Sequence, residues 1–217
     1  MSCYEALAAY YDRLTADVDY RSFADRYESA FAANGGPFHL LLDLCCGTGS
    51  MSLEMSRRGY ELISVDASEQ MLMEAREKCD GLPVPPLFLL QDVADLDLYG
   101  TVDAAFCSLE GINYLSPAQL EALLQRLPFF VRPGGLFLFD LRAPDYLESL
   151  DGDTFVDEDD EVFCLWRRSR EEHIEYAHCT EQLSELFAAH GFTDFKVEEA
   201  EDRLFVSCRR STSSVPA

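Results

Sequence analysis

Acidic and glycine residues recur at points of the chain where apolar runs end. Asp43 and a turn with two glycines, Cys45 to Gly49, close the first run, and Asp66 and Asp92 end the next two. A polar segment, Ser108 to Tyr114, follows the fourth. Glycine lets the backbone approach a ligand closely, and an acid after the second strand of an α/β sheet binds ribose hydroxyls. The pattern predicts a site for an adenosine-containing cofactor.

Two cofactors satisfy that pattern, a dinucleotide and S-adenosylmethionine, and three features favour the second. The dinucleotide fingerprint G-x-G-x-x-G requires glycine at position 52, where Ser52 stands. No basic residue lies close to this point to help hold a pyrophosphate. Asp43 instead suits the amino group of a methionine moiety, and Asp92 suits the exocyclic amine of an adenine.

A parallel sheet would bring these residues together, and the chain predicts one. Five short apolar runs alternate with segments of helical periodicity, which is typical of α/β proteins. Strands are predicted at 40–44, 61–66, 87–90, 102–107 and 136–141, with a closing hairpin of Phe195–Val197 and Leu204–Cys208. Helices are predicted at 20–33, at 50–58, from the cap Ser68 to Lys78, from the cap Ser116 to Leu127, and from the cap Thr180 to Gly191.

The same residues resemble a known family. Leu42 to Gly49, LDLCCGTG, resembles motif I of the class I S-adenosylmethionine-dependent methyltransferases, D-x-G-x-G-x-G, with Cys45 replacing the first glycine. Val65 to Leu72 is similar to the next motif, with its ribose acid and its methionine near the adenine. Gln91 to Val93 resembles the adenine motif, and Arg132 to Phe137 resembles the P-G-G turn before strand five.

Further segments extend the resemblance over most of the chain. Tyr10 to Leu14 is similar to a Y-D segment that closes over the cofactor in small stand-alone members, and Ile112–Leu115 and His190–Phe192 also match. The resemblance implies a Rossmann-like α/β fold, with a seven-stranded, mostly parallel sheet, an antiparallel closing hairpin, helices on both faces and an N-terminal helical lid.

The resemblance also implies an activity, methyl transfer from S-adenosylmethionine to a small-molecule acceptor by in-line displacement (EC 2.1.1.-), with S-adenosylhomocysteine as product. Residues expected to bind the cofactor are Tyr11, Asp43, Cys45, Cys46, Gly47, Thr48, Gly49, Asp66, Ala67, Met71, Gln91, Asp92, Val93 and Ser108. Glu110, Asn113 and Tyr114, just past strand four, are candidates for acceptor placement or proton removal, with loop structure as the alternative. His173 is a further candidate base, because histidine titrates near neutrality, and a solvated charged helix is the alternative there.

The chain is divided into an N-terminal helical cap (1–36), a methyltransferase domain (37–210) and a polar tail (211–217). Within the domain, 143–179 is shorter than the antiparallel region that often roofs the acceptor site in the family. We therefore expect either a different acceptor or a roof borrowed from a partner chain. The acidic run from Asp151 to Glu161 is interpreted as a solvated loop or edge.

Charge and cysteine content limit the partners. The formal net charge of -23 argues against nucleic acid and against anionic membrane surfaces. The cysteines are scattered without a C-x-x-C pair, which predicts free thiols in the cytoplasm and no metal site. No signal segment or membrane span is visible, and a monomer or homodimer is expected. An RNA or protein methyltransferase and a non-catalytic cofactor-binding module stay open as alternatives, and a nicotinamide oxidoreductase is the least favoured.

Overall fold

The main sheet lies at the centre of the computed structural model, which describes residues 3–143, 146, 154–158, 163–167, 176, 178–200 and 203–212. The described strands are β1 (Leu40–Leu44), β2 (Glu61–Asp66), β3 (Leu87–Leu90), β4 (Val102–Cys107), β5 (Val131–Arg142), β6 (Thr154–Glu158), β7 (Phe163–Arg167), β8 (Phe192–Ala200) and β9 (Arg203–Arg210). Seven of them form one sheet in the order β3-β2-β1-β4-β5-β9-β8. Strands β1 to β5 are parallel, and β9 and β8 close the sheet antiparallel. This confirms the predicted mostly parallel sheet.

Helices cover both faces of the sheet, as predicted. The described α-helices are α1 (Cys3–Leu14), α2 (Tyr20–Ala33), α3 (Ser50–Arg57), α4 (Glu69–Lys78), α5 (Pro117–Phe130) and α6 (Thr180–Ala189). Successive strand residues point to opposite faces. In β1, Leu41 packs in a cluster that contains Tyr27 of α2 and Met55 of α3, whereas Leu42 packs in a cluster with Leu123 of α5 and Phe187 of α6. None of the helices within the described residues has the length and apolarity needed to cross a membrane.

Several element boundaries differ from the predicted ones, and both strands of the closing hairpin are longer than predicted. Strand β5 begins at Val131, because the Pro133-Gly134-Gly135 segment stays in the sheet and the β4–β5 register shifts around it. Helix α5 continues through Pro128 to Phe130, since Leu127 and Pro128 are buried in the core. The prediction of Thr180 as a helix cap is wrong: the cap is Cys179, which makes no side-chain capping bond.

The region 143–179 contains structure that the sequence interpretation did not include. Thr154–Glu158 forms β6 and pairs antiparallel with β7 at Phe163–Arg167, so Asp157 and Glu158 of the acidic run lie in a two-stranded ribbon. His173 lies outside the described residues.

Candidate active site

A cavity of about 570 Å³ lies at the carboxyl ends of the parallel strands. The chain crosses to opposite sides after β1 and after β4, which are neighbours, and the diverging loops leave a crevice there. Most of the predicted cofactor residues line its wall: Tyr11, Cys45, Cys46, Gly47, Thr48, Asp66, Ala67, Met71, Asp92, Val93 and Ser108. Asp43, Gly49 and Gln91 do not form part of the wall.

Two glycines with different roles allow the backbone conformation of the turn after β1. Both have positive φ, +53° at Gly47 and +74° at Gly49. A Cβ added to Gly47 would meet nothing within 4 Å, so at this wall position the backbone is open to a ligand. A Cβ on Gly49 would lie 2.8 Å from the Cβ of Ala75, so this glycine allows α3 and α4 to pack closely. Cys45, in place of the first motif glycine, also has a left-handed φ of 56°.

Asp66 at the end of β2 is held by backbone donors. Its Oδ2 accepts from the Gly47 N–H at 2.8 Å, and its Oδ1 accepts from the Ser68 N–H at 2.9 Å. Burial raises the pKa of Asp66, while these amides act in the opposite direction. A carboxylate oxygen can accept more than one hydrogen bond, so Asp66 can also bind ligand hydroxyls from the cavity.

The segment after β3 forms the other end of the cavity. Asp92 lies on the wall, and its Oδ1 accepts from the Ala94 N–H at 2.9 Å. Gln91 points away from the cavity, where its side-chain amide donates to the Asp97 carbonyl and accepts from the Asp97 N–H, each at 3.1 Å. Gln91 therefore shapes the loop that presents Asp92.

Asp43 lies beneath the turn and is 1% exposed. Its Oδ2 accepts from the Ser52 hydroxyl at 2.5 Å, and the Ser52 and Ser64 hydroxyls are 2.9 Å apart. Within the described residues its Oδ1 has no hydrogen-bond partner. Burial raises the pKa of Asp43 to about 8. The residue that argues against a dinucleotide, Ser52, is thus the one that orients this acid.

Helix α1 is fastened to the rim of the cavity by Asp12, next to the wall residue Tyr11. Oδ1 of Asp12 accepts from the Thr48 hydroxyl at 2.6 Å and from Nζ of Lys78 at 2.6 Å. Lys78 also donates to Thr48 at 3.0 Å and to Ser50 at 2.7 Å. We refer to Asp12, Thr48, Ser50 and Lys78 as the Asp12 latch. The expectation that no basic residue lies close to this turn is therefore wrong. Lys78 is distant in sequence, and a lysine in a last helical turn has no signal beyond its favourable helix-end charge.

The three residues predicted past β4 have different surroundings. Tyr114 lies on the wall and is 39% exposed. Asn113 is fully buried: its Nδ2 donates to the Tyr176 carbonyl at 2.8 Å and its Oδ1 accepts from the Arg142 N–H at 2.9 Å. Glu110 accepts from Nε of Arg142 at 3.3 Å and from the guanidinium of Arg203. Only Tyr114 of the three therefore forms part of the cavity wall.

Several wall residues were not among the predicted site residues, although two of them, Leu109 and Gly111, belong to the polar segment predicted after strand four. They are Tyr20, Ser50, Met51, Ser68, Glu69, Gln70, Leu90, Leu109, Gly111, Leu115 and Gln119. Burial raises the pKa values of Tyr11 and Tyr20, which keeps both phenols neutral. Among the described residues, no group of three or more His, Cys, Asp or Glu side chains is placed to hold a metal ion.

Comparison with known proteins agrees with this geometry. The sequence profile of a family described as a methyltransferase domain matches residues 41–135. The methyltransferase-family protein YqeM of Bacillus subtilis (strain 168) is 30% identical over 167 residues, which are 76% of this chain and 66% of YqeM. The chain thus spans about two thirds of that relative's length.

Two solved structures share the fold over nearly the whole chain. An S-adenosylmethionine-dependent methyltransferase from Clostridium acetobutylicum ATCC 824 superposes with a TM-score of 0.80 at 25% identity, covering 97% of this chain and 100% of that one. CalS10 from Micromonospora echinaspora, solved with S-adenosylmethionine bound, has a TM-score of 0.74 at 20% identity, covering 97% and 98%.

Proposed function

The chain belongs to the class I S-adenosylmethionine-dependent methyltransferases, and from that premise we propose that it transfers a methyl group to a small-molecule acceptor. The observation that carries the proposal is the cavity at the β1/β4 crossover, where the turn after β1 and Asp66 of β2 are hydrogen-bonded to each other. This is the place where α/β sheets bind nucleotide-containing ligands.

The residues of the site fit this cofactor. Asp66 would bind the ribose hydroxyls and Asp92 the adenine amine, and the open face of Gly47 leaves room beside the backbone. Asp43 lies beneath the turn and not on the cavity wall, and its unpartnered Oδ1 is the acceptor that a cationic amine reaching it would satisfy. The charged side chains on the described wall are all acidic, Asp66, Glu69 and Asp92, which suits a cofactor that is cationic at its sulfur and its amine.

When bound, S-adenosylmethionine supplies a methyl group on a sulfonium that is already an activated leaving group. The protein's work is then to orient the acceptor and exclude water, and alignment of this kind can supply about 7–11 kcal/mol of a barrier. Tyr11 and Tyr20, held neutral by burial, suit packing and hydrogen bonding and not proton removal. We propose that Tyr114 contacts the acceptor, since its side chain is on the wall and partly exposed.

Cavity size and charge support a small acceptor. A volume of about 570 Å³ is in the usual range for small-ligand sites, and a net charge of -23 opposes RNA. CalS10, which has the same fold, is named an amino pentose methyltransferase. A cytoplasmic location and a monomeric or homodimeric state are part of the proposal; the free thiols of the described cysteines suit a reducing compartment.

The proposal is tested by titrating the folded chain with S-adenosylhomocysteine in a calorimeter and then measuring S-adenosylhomocysteine release with panels of small amines, alcohols and carboxylic acids. We expect micromolar-range binding that Asp66→Ala abolishes. The control is Asp95→Ala, which removes a carboxylate that is 83% exposed and does not line the cavity. Absence of binding to the folded wild type contradicts the cofactor assignment. Turnover with tRNA or protein alone would favour an RNA or protein methyltransferase. Binding without any turnover would favour a non-catalytic cofactor-binding module.

A further inference from the structure

Asp140, near the end of β5, is a fully buried carboxylate that the sequence interpretation did not single out. Its Oδ1 accepts from the Leu109 N–H at 2.8 Å, and its Oδ2 accepts from the Glu110 N–H at 3.1 Å. Nη1 of Arg203 in β9 donates to the same Oδ2 at 2.6 Å. Asp140 therefore accepts hydrogen bonds from two consecutive backbone amides of the segment after β4 and from one arginine of the closing hairpin.

These two amides belong to residues with an unfavourable backbone conformation. Leu109 has φ of 54° and Glu110 has φ of 50°, the left-handed region that non-glycine residues rarely adopt. Such a conformation persists only when the surrounding structure holds it. Leu109 and its neighbours Ser108 and Gly111 all line the cavity, so the strained segment is also a stretch of its wall.

Arg203 connects the wall segment to the rest of the fold. It donates to Asp140 and to Glu110, and its guanidinium carbon lies 5.6 Å from the centre of the Phe23 ring in α2. Arg142 donates to the other carboxylate oxygen of Glu110. The side chain of Glu110 is therefore held by cations while its backbone is held by Asp140.

We propose that Asp140 is a positioning residue, which holds the 108–111 segment in the left-handed conformation that shapes the cavity wall, with Arg203 keeping its carboxylate in place. The inference rests on the proposed function, because the shape of the wall matters only if the cavity binds the cofactor and its acceptor. Asp140 touches neither; it acts through Leu109 and Glu110.

A matched control exists at the opposite end of the sheet. Asp103 of β4 accepts from the His39 and Leu40 N–H groups at 2.8 and 3.1 Å and from Nε of Arg132 at 2.7 Å. Like Asp140, it accepts two hydrogen bonds from backbone N–H groups and one from an arginine, but it does not line the cavity. A purely structural carboxylate is therefore available for comparison in the same protein.

The test compares Asp140→Asn with Asp103→Asn. In Asp140→Asn the amide NH2 group must face either the Leu109 or the Glu110 N–H. In Asp103→Asn it must face either Arg132 or the two backbone donors that share Oδ2, so each variant loses at least one hydrogen bond to a charged group. We expect S-adenosylhomocysteine to bind Asp140→Asn about tenfold more weakly, the size of one such bond, and to bind Asp103→Asn as it binds the wild type. Urea unfolding of both variants shows whether their stabilities fall alike. An equal Kd for wild type and Asp140→Asn overturns the inference, as does an equal loss in both variants.

A second pair of variants keeps the inference testable if Asp140→Asn does not fold. Arg203→Lys retains a cation that can reach both carboxylates, and Arg203→Met does not. We expect the lysine variant to bind S-adenosylhomocysteine more tightly than the methionine variant, and amide hydrogen exchange at Leu109 and Glu110 to be faster in the methionine variant. Equal affinity and equal exchange would overturn the role. The proposed function fails separately, if the folded wild type binds no S-adenosylhomocysteine. The variants test only the role of Asp140.

Discussion

The backbone N–H of Gly47 donates a 2.8 Å hydrogen bond to Oδ2 of Asp66. This bond joins the turn after β1 to the acid that ends β2, and the neighbouring bond from the Cys46 N–H to the Val65 carbonyl, at 3.0 Å, extends the contact. The two parts of the site that would contact a ribose are therefore positioned by each other before any ligand binds.

Replacing Asp66 with asparagine should weaken cofactor binding without unfolding the protein. The Nδ2 group of asparagine must face either the Gly47 or the Ser68 N–H, and loss of a hydrogen bond to a charged group costs about 1.5–3 kcal/mol. We expect a rise of at least tenfold in the Kd for S-adenosylhomocysteine, measured by calorimetry. Asp95→Asn is the control, since it removes one exposed charge that does not line the cavity. An unchanged Kd in Asp66→Asn would contradict the assignment of Asp66 to the site.

The stability of the ligand-free protein should depend on the protonation of Asp43. Its folded pKa of about 8 is above the ordinary value of 3.8, so the native state holds this proton more tightly than the unfolded chain. The resulting stabilisation is complete below about pH 4 and is lost as pH rises through about 8. We expect the unfolding free energy of the wild type, relative to Asp43→Asn, to fall between pH 6 and 8 by up to about 1.4 kcal/mol per pH unit. Urea titrations of both proteins at several pH values measure this difference. Parallel pH profiles for the wild type and Asp43→Asn would contradict the raised pKa of Asp43.

The same proton should be released if the amine of the cofactor approaches Asp43, which lies beneath the turn and not on the cavity wall. Ionised Asp43 favours the amine, so the affinity for S-adenosylhomocysteine should rise as pH increases from 6 to 8. Calorimetry in buffers with different ionisation enthalpies measures the protons released. We expect Asp43→Asn to bind more weakly at pH 8 and to release fewer protons. If wild type and variant release equal numbers, the amine does not bind at Asp43.

The two glycines of the turn should respond differently to alanine. Both sites impose the left-handed conformation, which costs a non-glycine residue about 1–2 kcal/mol. At Gly49 the new methyl group would also press on Ala75, and overpacking of this kind costs about a further 1–3 kcal/mol. We expect Gly49→Ala to lose more stability in urea, and Gly47→Ala to lose more affinity for S-adenosylhomocysteine. The reverse order would contradict the packing of α3 against α4.

Opening the Asp12 latch should speed cofactor release. Lys78→Met keeps an apolar stem but removes the cation that binds Asp12, Thr48 and Ser50. An ion pair at a partly exposed site contributes up to about 1 kcal/mol, which corresponds to an increase of about fivefold in the dissociation rate of S-adenosylhomocysteine. Stopped-flow displacement measures this rate, and at 1 M salt the wild type should approach the variant because the charges are screened.

A charge removed elsewhere provides the comparison for the latch. Glu198→Gln breaks the ion pair between Glu198 and Arg26. The Glu198 side chain is 72% exposed and does not line the cavity. We expect its dissociation rate to match the wild type. Equal rates in Lys78→Met and the wild type at low salt would mean that α1 does not control release.

Local patterns predicted the strands well and their ends less well. The apolar runs at 40–44, 61–66, 87–90 and 102–107 coincide with β1 to β4. The central strands β1 and β4 are mostly buried, and a parallel strand buried on both faces requires apolar side chains. The boundaries of β5 and α5 were wrong, since Gly135 and Pro128 are local breakers that the packed sheet and core accommodate.

The sequence alone determined which residues stand at the strand ends, and hence Asp66, Asp92 and the turn with Gly47, because strand and turn signals are short-range. Only the tertiary structure decided what holds them. Arg203 reaches Glu110 across 93 residues, and Lys78 reaches Asp12 across 66. No local sequence signal identifies the distant partner of a charged residue. The hydrogen bonds of Asp140 with Leu109, Glu110 and Arg203 form only when folding brings β4, β5 and β9 together. The Asp12 latch likewise forms only when α1 and α4 meet.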